Sequence, residues 1–189
     1  HGLSSAASDV YKRQIENIAY LGRSHRAKKP LQQIKTLIEL TGEILELPKG
    51  YRVAIVPGSD TGAFELLMWS LLGKNKTTML AWESFGNDWA EDAVNQLKLA
   101  ECKVDRAGYG DLPKLTGVAR NSDICFTWNG TTSGVRVPNA NWIEKNEDRL
   151  VLCDATSAVF SQELDWEKLD AVSFSWQKVL GGEGGHGVV

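Results

Sequence analysis

The strongest constraint on this chain is the rhythm of its apolar residues: short runs of strand length alternate with segments whose apolar positions recur every three or four residues. Between 30 and 47, Leu31, Ile34, Leu37, Ile38, Ile44, Leu45 and Leu47 fall on one side of a helix, and lysines and glutamates fill the other. Pro48, Lys49 and Gly50 stop that helix, and 51–56 is rich enough in β-branched residues to be a buried strand ending at Pro57 and Gly58. A turn at Ser59, Asp60, Thr61 and Gly62 then opens a buried helix over 63–72, with Ser59 or Asp60 as its N-cap. The alternation predicts further strands at 77–81, 103–106, 123–128, 150–153 and 170–175, and a helix at about 87–100. Strands that are apolar throughout are covered on both sides. The pattern therefore predicts an α/β fold, a mainly parallel sheet with helices on both faces. No repeat or proline-rich linker divides the chain, which reads as one domain.

Composition narrows the function classes. With 42% hydrophobic and 24% charged residues, the 189-residue chain has the apolar mass for a core, which excludes a disordered or fibrous protein. Its 21 Lys and Arg against 24 Asp and Glu leave a net charge of -3, so there is no basic field to hold a nucleic acid or an anionic membrane. No apolar run approaches the roughly 20 residues of a membrane-spanning helix. Cys102, Cys125 and Cys153 form neither a CxxC pair nor an even set, and two of them sit in strand-like runs, so they read as reduced core thiols. With three scattered histidines, the cysteines give no metal-ligand spacing and no metal is expected. The N-terminus has no basic region followed by an apolar stretch, which implies a cytoplasmic setting. Residues 1–14, HGLSSAASDVYKRQ, are polar and without periodicity and read as a non-native or disordered leader to a domain over 15–189. The apolar segment HGVV stops just after a glycine-rich turn, so this domain is expected to be truncated at its C-terminus.

In parallel sheets of this kind ligands gather beyond the carboxyl ends of the strands. Four predicted ends carry polar or ionisable residues: PGSDTG (57–62), WNGTTSG (128–134), CDATS (153–157) and SWQK (175–178). The first offers backbone N–H groups at a helix N-terminus, suited to an anion such as phosphate, although a simple cap without ligand would look the same. Neither GxxxxGK[ST] nor GxGxxG is present. Asp154 ends an apolar strand and is desolvated unless a cation meets it, or else it is a cap bonded by Thr156 or Ser157. Lys178 would ordinarily be a solvated charge. It stands 24 residues beyond Asp154, one crossover unit away, so neighbouring strands can turn both groups into one pocket.

Taken in order, GRSHRAK (22–28), SDTG (59–62), WNGTTSGV (128–135), VLCDATSA (151–158) and SFSWQKVLGGEGGHG (173–187) resemble the class V group of pyridoxal-phosphate-dependent aminotransferases, and within it the phosphoserine branch, over about 18–189. The resemblance implies the large domain of the type I fold of these enzymes, with pyridoxal 5'-phosphate as cofactor and the C-terminal small domain absent. It implies that Lys178 forms a Schiff base with the cofactor and moves the substrate proton, and that Asp154 pairs with the pyridine nitrogen. Trp89 would stack on the ring, with Phe85 in ESFGNDW as the competing candidate. Thr131 would bond the 3'-oxygen side, Asp60 and Thr61 would hold the phosphate through backbone N–H groups, and Gln177 would add a side-chain donor. The Asp60 carboxyl, repulsive to phosphate, is expected to turn away and cap the helix. His25 and Arg26 would meet the substrate's acidic groups, although an exposed His-Arg pair is common without any such role.

The implied reaction passes the amino group of glutamate to 3-phosphohydroxypyruvate, giving O-phosphoserine and 2-oxoglutarate, in a homodimer for which the resemblance implies a place in serine and also pyridoxine biosynthesis. Two other readings remain open: another class V aminotransferase of the alanine/glyoxylate type, or a non-catalytic piece of the same fold. The chain alone is expected to be inactive.

Overall fold

The computed structural model describes residues 22–189, in two compact units that divide between Thr41 and Gly42. The expected leader at 1–14 lies outside the described residues. Helix α1, Lys28–Ile44, accounts for most of the described part of the first unit; it is amphipathic as predicted, yet none of its residues is buried. It ends three residues short of the predicted Leu47, and Glu46 leaves the helical path at φ 51.

The second unit is built on a seven-stranded sheet. In chain order its elements are β1 (Ile55–Pro57), α2 (Ser59–Leu71), β2 (Lys76–Ala81), α3 (Ser84–Glu91), β3 (Cys102–Arg106), β4 (Ser122–Thr127), β5 (Val151–Asp154), β6 (Ala171–Ser175) and β7 (His186–Val188). The spatial order is β1-β7-β6-β5-β4-β2-β3. Every pairing from β6 to β3 is parallel, and only β7 runs against its neighbours. The predicted strands are thus present, within a residue or two, from 76 to 175. The strand predicted over 51–56 is shorter, pairing only from Ile55, although Ala54 and Val189 also exchange both backbone hydrogen bonds. β7 was not predicted at all, because three residues behind a glycine cluster are too few to show a period.

Alternation explains why the strands read as continuous apolar runs. Met79, Ala81, Cys125 and Leu152 face Phe64, Leu67 and Met68 of α2 and Trp89, Ala90 and Ala93. Their neighbours Leu80, Trp82, Ile124, Phe126, Val151 and Cys153 face the opposite layer with Val137, Ile143 and Leu169. Where the sequence reading put helices on both faces, α2 and α3 share one face, and the described residues on the other are mostly irregular chain with one 3-10 turn at Trp166–Lys168. α3 begins earlier than predicted because Glu83 caps it, its carboxylate accepting the Gly86 N–H at 2.6 Å. The helix then widens into a π-helical turn over Asp92–Gln96. Among the described residues no helix is long and apolar enough to cross a membrane.

Cys125 and Cys153 are fully buried strand thiols, and burial pushes both well above the ordinary thiol range. All three cysteines are free, as expected.

Phe64 carries the packing of α2 on the sheet, fully buried with its ring 5.1 Å from that of Trp89. Phe64→Ala should destabilise the fold by about 3–5 kcal/mol, whereas Leu66→Ala on the exposed side of the same helix should change it by less than about 0.5 kcal/mol. Urea unfolding of the two variants beside the parent measures the difference.

Candidate functional site

The carboxyl ends of β1, β2, β4, β5 and β6 all point to one edge of the sheet, since these strands run in the same direction. On its α2/α3 side that edge holds a cluster of buried polar groups. Asp154, the last residue of β5, is only 8% exposed. Its Oδ1 accepts the Thr156 N–H at 3.0 Å, and its Oδ2 accepts the indole N–H of Trp89 at 3.2 Å. Thr127 and Ser173 stand beside it in register on β4 and β5's other neighbour, β6. The hydroxyls of Thr127, Thr156, Ser173 and Ser175 are buried without a hydrogen-bond partner, as is Asp60 Oδ1. Buried polar atoms are normally paired. Five of the ten such unpaired atoms among the described residues gather at this edge, which suits it to meet something polar.

Asp60 does not cap its helix, contrary to the expectation. The N-cap is Gly58, in the left-handed region at φ 90, and no side chain caps the end. Asp60 lies one residue inside α2, 6% exposed, and its carboxyl faces Asp154, Ser173 and Thr156. Burial, and then the Asp154 charge, hold its proton affinity well above the usual carboxylate range.

With no side-chain cap, the first N–H groups of α2 stay available to an anion. The chain packs closely around this turn. Gly58 donates to the carbonyl of Gly185 at 3.1 Å, and Gln177 Nε2 donates to Ser59 Oγ at 3.4 Å. A Cβ on Gly187 would collide with the Ser59 carbonyl and stand 2.6 Å from Ala63 Cβ, so only glycine lets β7 lie this close to α2. Thr61 is exposed on the first turn of the helix.

Lys178 is exposed in the turn after β6, where Gly181 and Gly182 fold back onto Lys178 and Trp176 through backbone hydrogen bonds. Its Nζ has no hydrogen-bond or ion-pair partner among the described residues, so lysine and Asp154 share an edge without an ion pair. The two aromatic candidates separate: Trp89 is 3% exposed and bonded to Asp154, whereas Phe85 is 39% exposed on the first turn of α3. Thr131 lies in the loop after β4, its hydroxyl 2.5 Å from that of Ser157. Trp128 is buried on the opposite face of the sheet. His25 and Arg26 belong to the first unit, exposed in the turn before α1, where the Arg26 N–H donates to Ser24 Oγ at 3.1 Å.

Sequence reasoning overlooked Glu83. It is 2% exposed at the end of β2; besides capping α3, its Oε2 accepts the Thr132 hydroxyl at 3.3 Å. A Cβ on Gly130 would stand 2.5 Å from Glu83 Cγ, so the glycine of the NGTT loop fits because Glu83 is there. A strand followed by WES was the available signal, but a single glutamate before a polar helix start reads as a surface residue. Glu83→Ala should cost about 1–3 kcal/mol and loosen both α3 and the 129–134 loop. Hydrogen exchange should show the loss of protection centred on Gly86 and Gly134, with the β5–β6 pairing unaffected.

A family model described as aminotransferase class-V matches residues 5–189. A phosphoserine aminotransferase of Methanosarcina mazei is 52% identical over 173 residues, which are 92% of this chain and 47% of that protein. One from Methanosarcina barkeri is also 52% identical, over 89% of this chain and 45% of its own length. Among solved structures, a phosphoserine aminotransferase from Cytophaga hutchinsonii superposes with a TM-score of 0.79 at 30% identity, over 98% of this chain and 51% of that one. A ureidoglycine-glyoxylate aminotransferase from Bacillus subtilis, 16% identical with a TM-score of 0.75, shares the fold. The chain spans about half the length of the curated relatives it matches.

Proposed function

The chain belongs to the class-V aminotransferases, and from that premise we propose that the intact protein is a pyridoxal-phosphate-dependent phosphoserine transaminase, carrying the amino group of glutamate to 3-phosphohydroxypyruvate to yield O-phosphoserine and 2-oxoglutarate. The observation that carries this reading is the buried Asp154, bonded only by neutral N–H groups, at the middle of an edge that also holds Lys178 and an uncapped helix N-terminus. The Methanosarcina relatives supply the substrate class.

The residues fit the cofactor. A carboxylate 8% exposed, with two N–H donors and no cation, favours a protonated pyridine nitrogen. The free N–H groups of Asp60 and Thr61, with Gln177 near Ser59, suit a phosphate. Bound pyridoxal phosphate supplies an electron sink for the charge left when the substrate Cα loses its proton.

The chain's own residues do the rest. Lys178 Nζ is the base that takes the Cα proton, with no competing ion pair among the described residues. Asp154 holds the proton on the ring nitrogen. Trp89, buried against Phe64, would hold Asp154 through its indole N–H, and Phe85, exposed at the start of α3, is the aromatic whose ring is free to lie against a bound cofactor. The Thr131 hydroxyl donates to the ring's 3'-oxygen. His25 and Arg26 bind the acidic groups of the substrate, for which the forked guanidinium is suited.

The same reading carries a cytoplasmic homodimer, in keeping with the free thiols and with Leu66, Trp69 and Leu71 exposed on α2.

Lys178→Ala in the intact protein should abolish transamination and trapping of the cofactor by borohydride; a variant that still incorporates the label would overturn the assignment. Arg26→Ala should raise KM for phosphoserine by about tenfold or more while leaving the absorbance of bound cofactor and turnover of alanine nearly unchanged. Steady-state assays with both donors decide. Equal losses for phosphoserine and alanine would assign Arg26 to the common carboxylate, and no loss would remove the substrate assignment's support from this pair.

A further inference from the structure

Two carboxyl groups facing each other inside a protein are an arrangement that chemistry restricts. Asp60 on α2 and Asp154 on β5 are 6% and 8% exposed, and the hydroxyls of Ser173 and Thr156 also lie against Asp60. Two carboxylates in such a place repel each other and are poorly solvated, so the pair holds one proton between them. Bonding decides which member keeps it. Asp154 receives two N–H donors, from Thr156 and Trp89, so both of its oxygens already serve as acceptors. Asp60 Oδ1 receives none. The proton therefore belongs on Asp60, whose single O–H faces Asp154 while its other oxygen can accept from the hydroxyls of Ser173 and Thr156.

We propose that Asp60 is a positioning residue for Asp154: a neutral carboxylic acid that donates its proton to the Asp154 carboxylate and holds it, singly charged, toward the pyridine nitrogen. The cofactor half of this inference rests on the pyridoxal phosphate reading above. The protonation half does not.

Few other charges bear on Asp60. Of the elements packed on α2, β1 and β6 carry no titratable side chain. β7 carries only His186, exposed with its ring 5.7 Å from that of Trp176. β5 carries Asp154 and the buried Cys153. On α2 itself Glu65 is half-buried. Because Asp60 keeps a proton in the folded protein that it would release unfolded at neutral pH, the stability linked to it is fully present below the unfolded carboxyl range. It is lost as pH rises toward the folded value.

Asp60→Asn replaces the acid with a neutral donor of the same shape, and Asp60→Ala removes the donor. Both are made in the intact protein. Thermal unfolding without cofactor, from pH 5 to 9, should show wild type losing stability relative to Asp60→Asn as pH rises, with the gap between their Tm values widening by several degrees. His186 and Glu65 are common to both proteins and cancel. Titration with pyridoxal phosphate, read by protein fluorescence, should give Asp60→Asn an affinity within about threefold of wild type and Asp60→Ala one weaker by about tenfold or more.

A Tm gap that stays constant with pH would overturn the proposal, as would equal losses of affinity in the two variants or no loss in Asp60→Ala. If the alanine variant does not fold, Asp60→Leu, close in shape and without a donor, replaces it under the same criterion. Should wild type itself fail to bind pyridoxal phosphate, the proposed function fails, while the wild-type and Asp60→Asn pH curves still decide where the proton sits.

Discussion

The cost of burying the Asp154 carboxylate organises this fold. A sheet covered on both faces leaves no room for charge along its strands, and Leu152 and Cys153 accordingly disappear into opposite layers. Ionisable groups are displaced to the two edges, and the edges differ. At the amino edge, Asp123 Oδ1 accepts from Asn75 and from the Leu150 N–H, and Asp170 accepts the Val151 N–H while pairing with Lys145 at 2.6 Å. Those carboxylates tie each strand to the next. At the carboxyl edge, Asp154 keeps two N–H donors and no cation, among hydroxyls that bond nothing. One edge is arranged for cohesion, and the other retains electrostatic demand that the proposed positively charged ring nitrogen would meet.

The reversed strand β7 completes that edge. Parallel strands alone would set Asp154 and Lys178 side by side but leave the turn before α2 to itself, since β1 is the outermost strand. Running back between β6 and β1, β7 brings the glycine loop that follows Lys178 under the N-terminus of α2. The Gly58 to Gly185 hydrogen bond and the close approach of Gly187 to Ser59 and Ala63 are the contacts that fix it there. A lysine and an anion-binding helix end, well over a hundred residues apart in sequence, become neighbours through three residues of strand.

Those three residues are also where the sequence is least legible. Asp154 and Lys178 stand out because each interrupts an apolar run at its end, a one-dimensional signal. β7 has no such signal, because a strand this short makes its pattern only with its partners. Trp89 and Phe85 could not be ranked from ESFGNDW, since a helix whose start depends on the Glu83 cap shows no period until that cap is known. The second sheet face misled for a related reason: Val137, Ile143 and Leu169 supply apolar cover from irregular chain, where helical spacing never arises. His25 and Arg26 were visible only as a motif, and exposure in a turn adds nothing to that.

Asp60 shows how a local rule fails and why the failure is informative. Capping preference assigns an aspartate in a Ser-Asp-Thr turn to the helix end, where its charge would sit among N–H groups and repel an incoming phosphate. Gly58 takes the cap position instead, because at φ 90 a glycine turns the chain without strain and offers no competing side chain. The aspartate thereby falls at the second position of α2, two residues past the cap, on the buried side of the helix. There burial, and then the neighbouring Asp154, raise the proton affinity of its carboxyl, in line with the neutral acid proposed for it. A neutral Asp60 repels no phosphate, and its backbone N–H remains at the helix end. The residue that looked unsuited to an anion-binding turn is compatible with one because its side chain belongs to a different part of the site, the end that meets a cation.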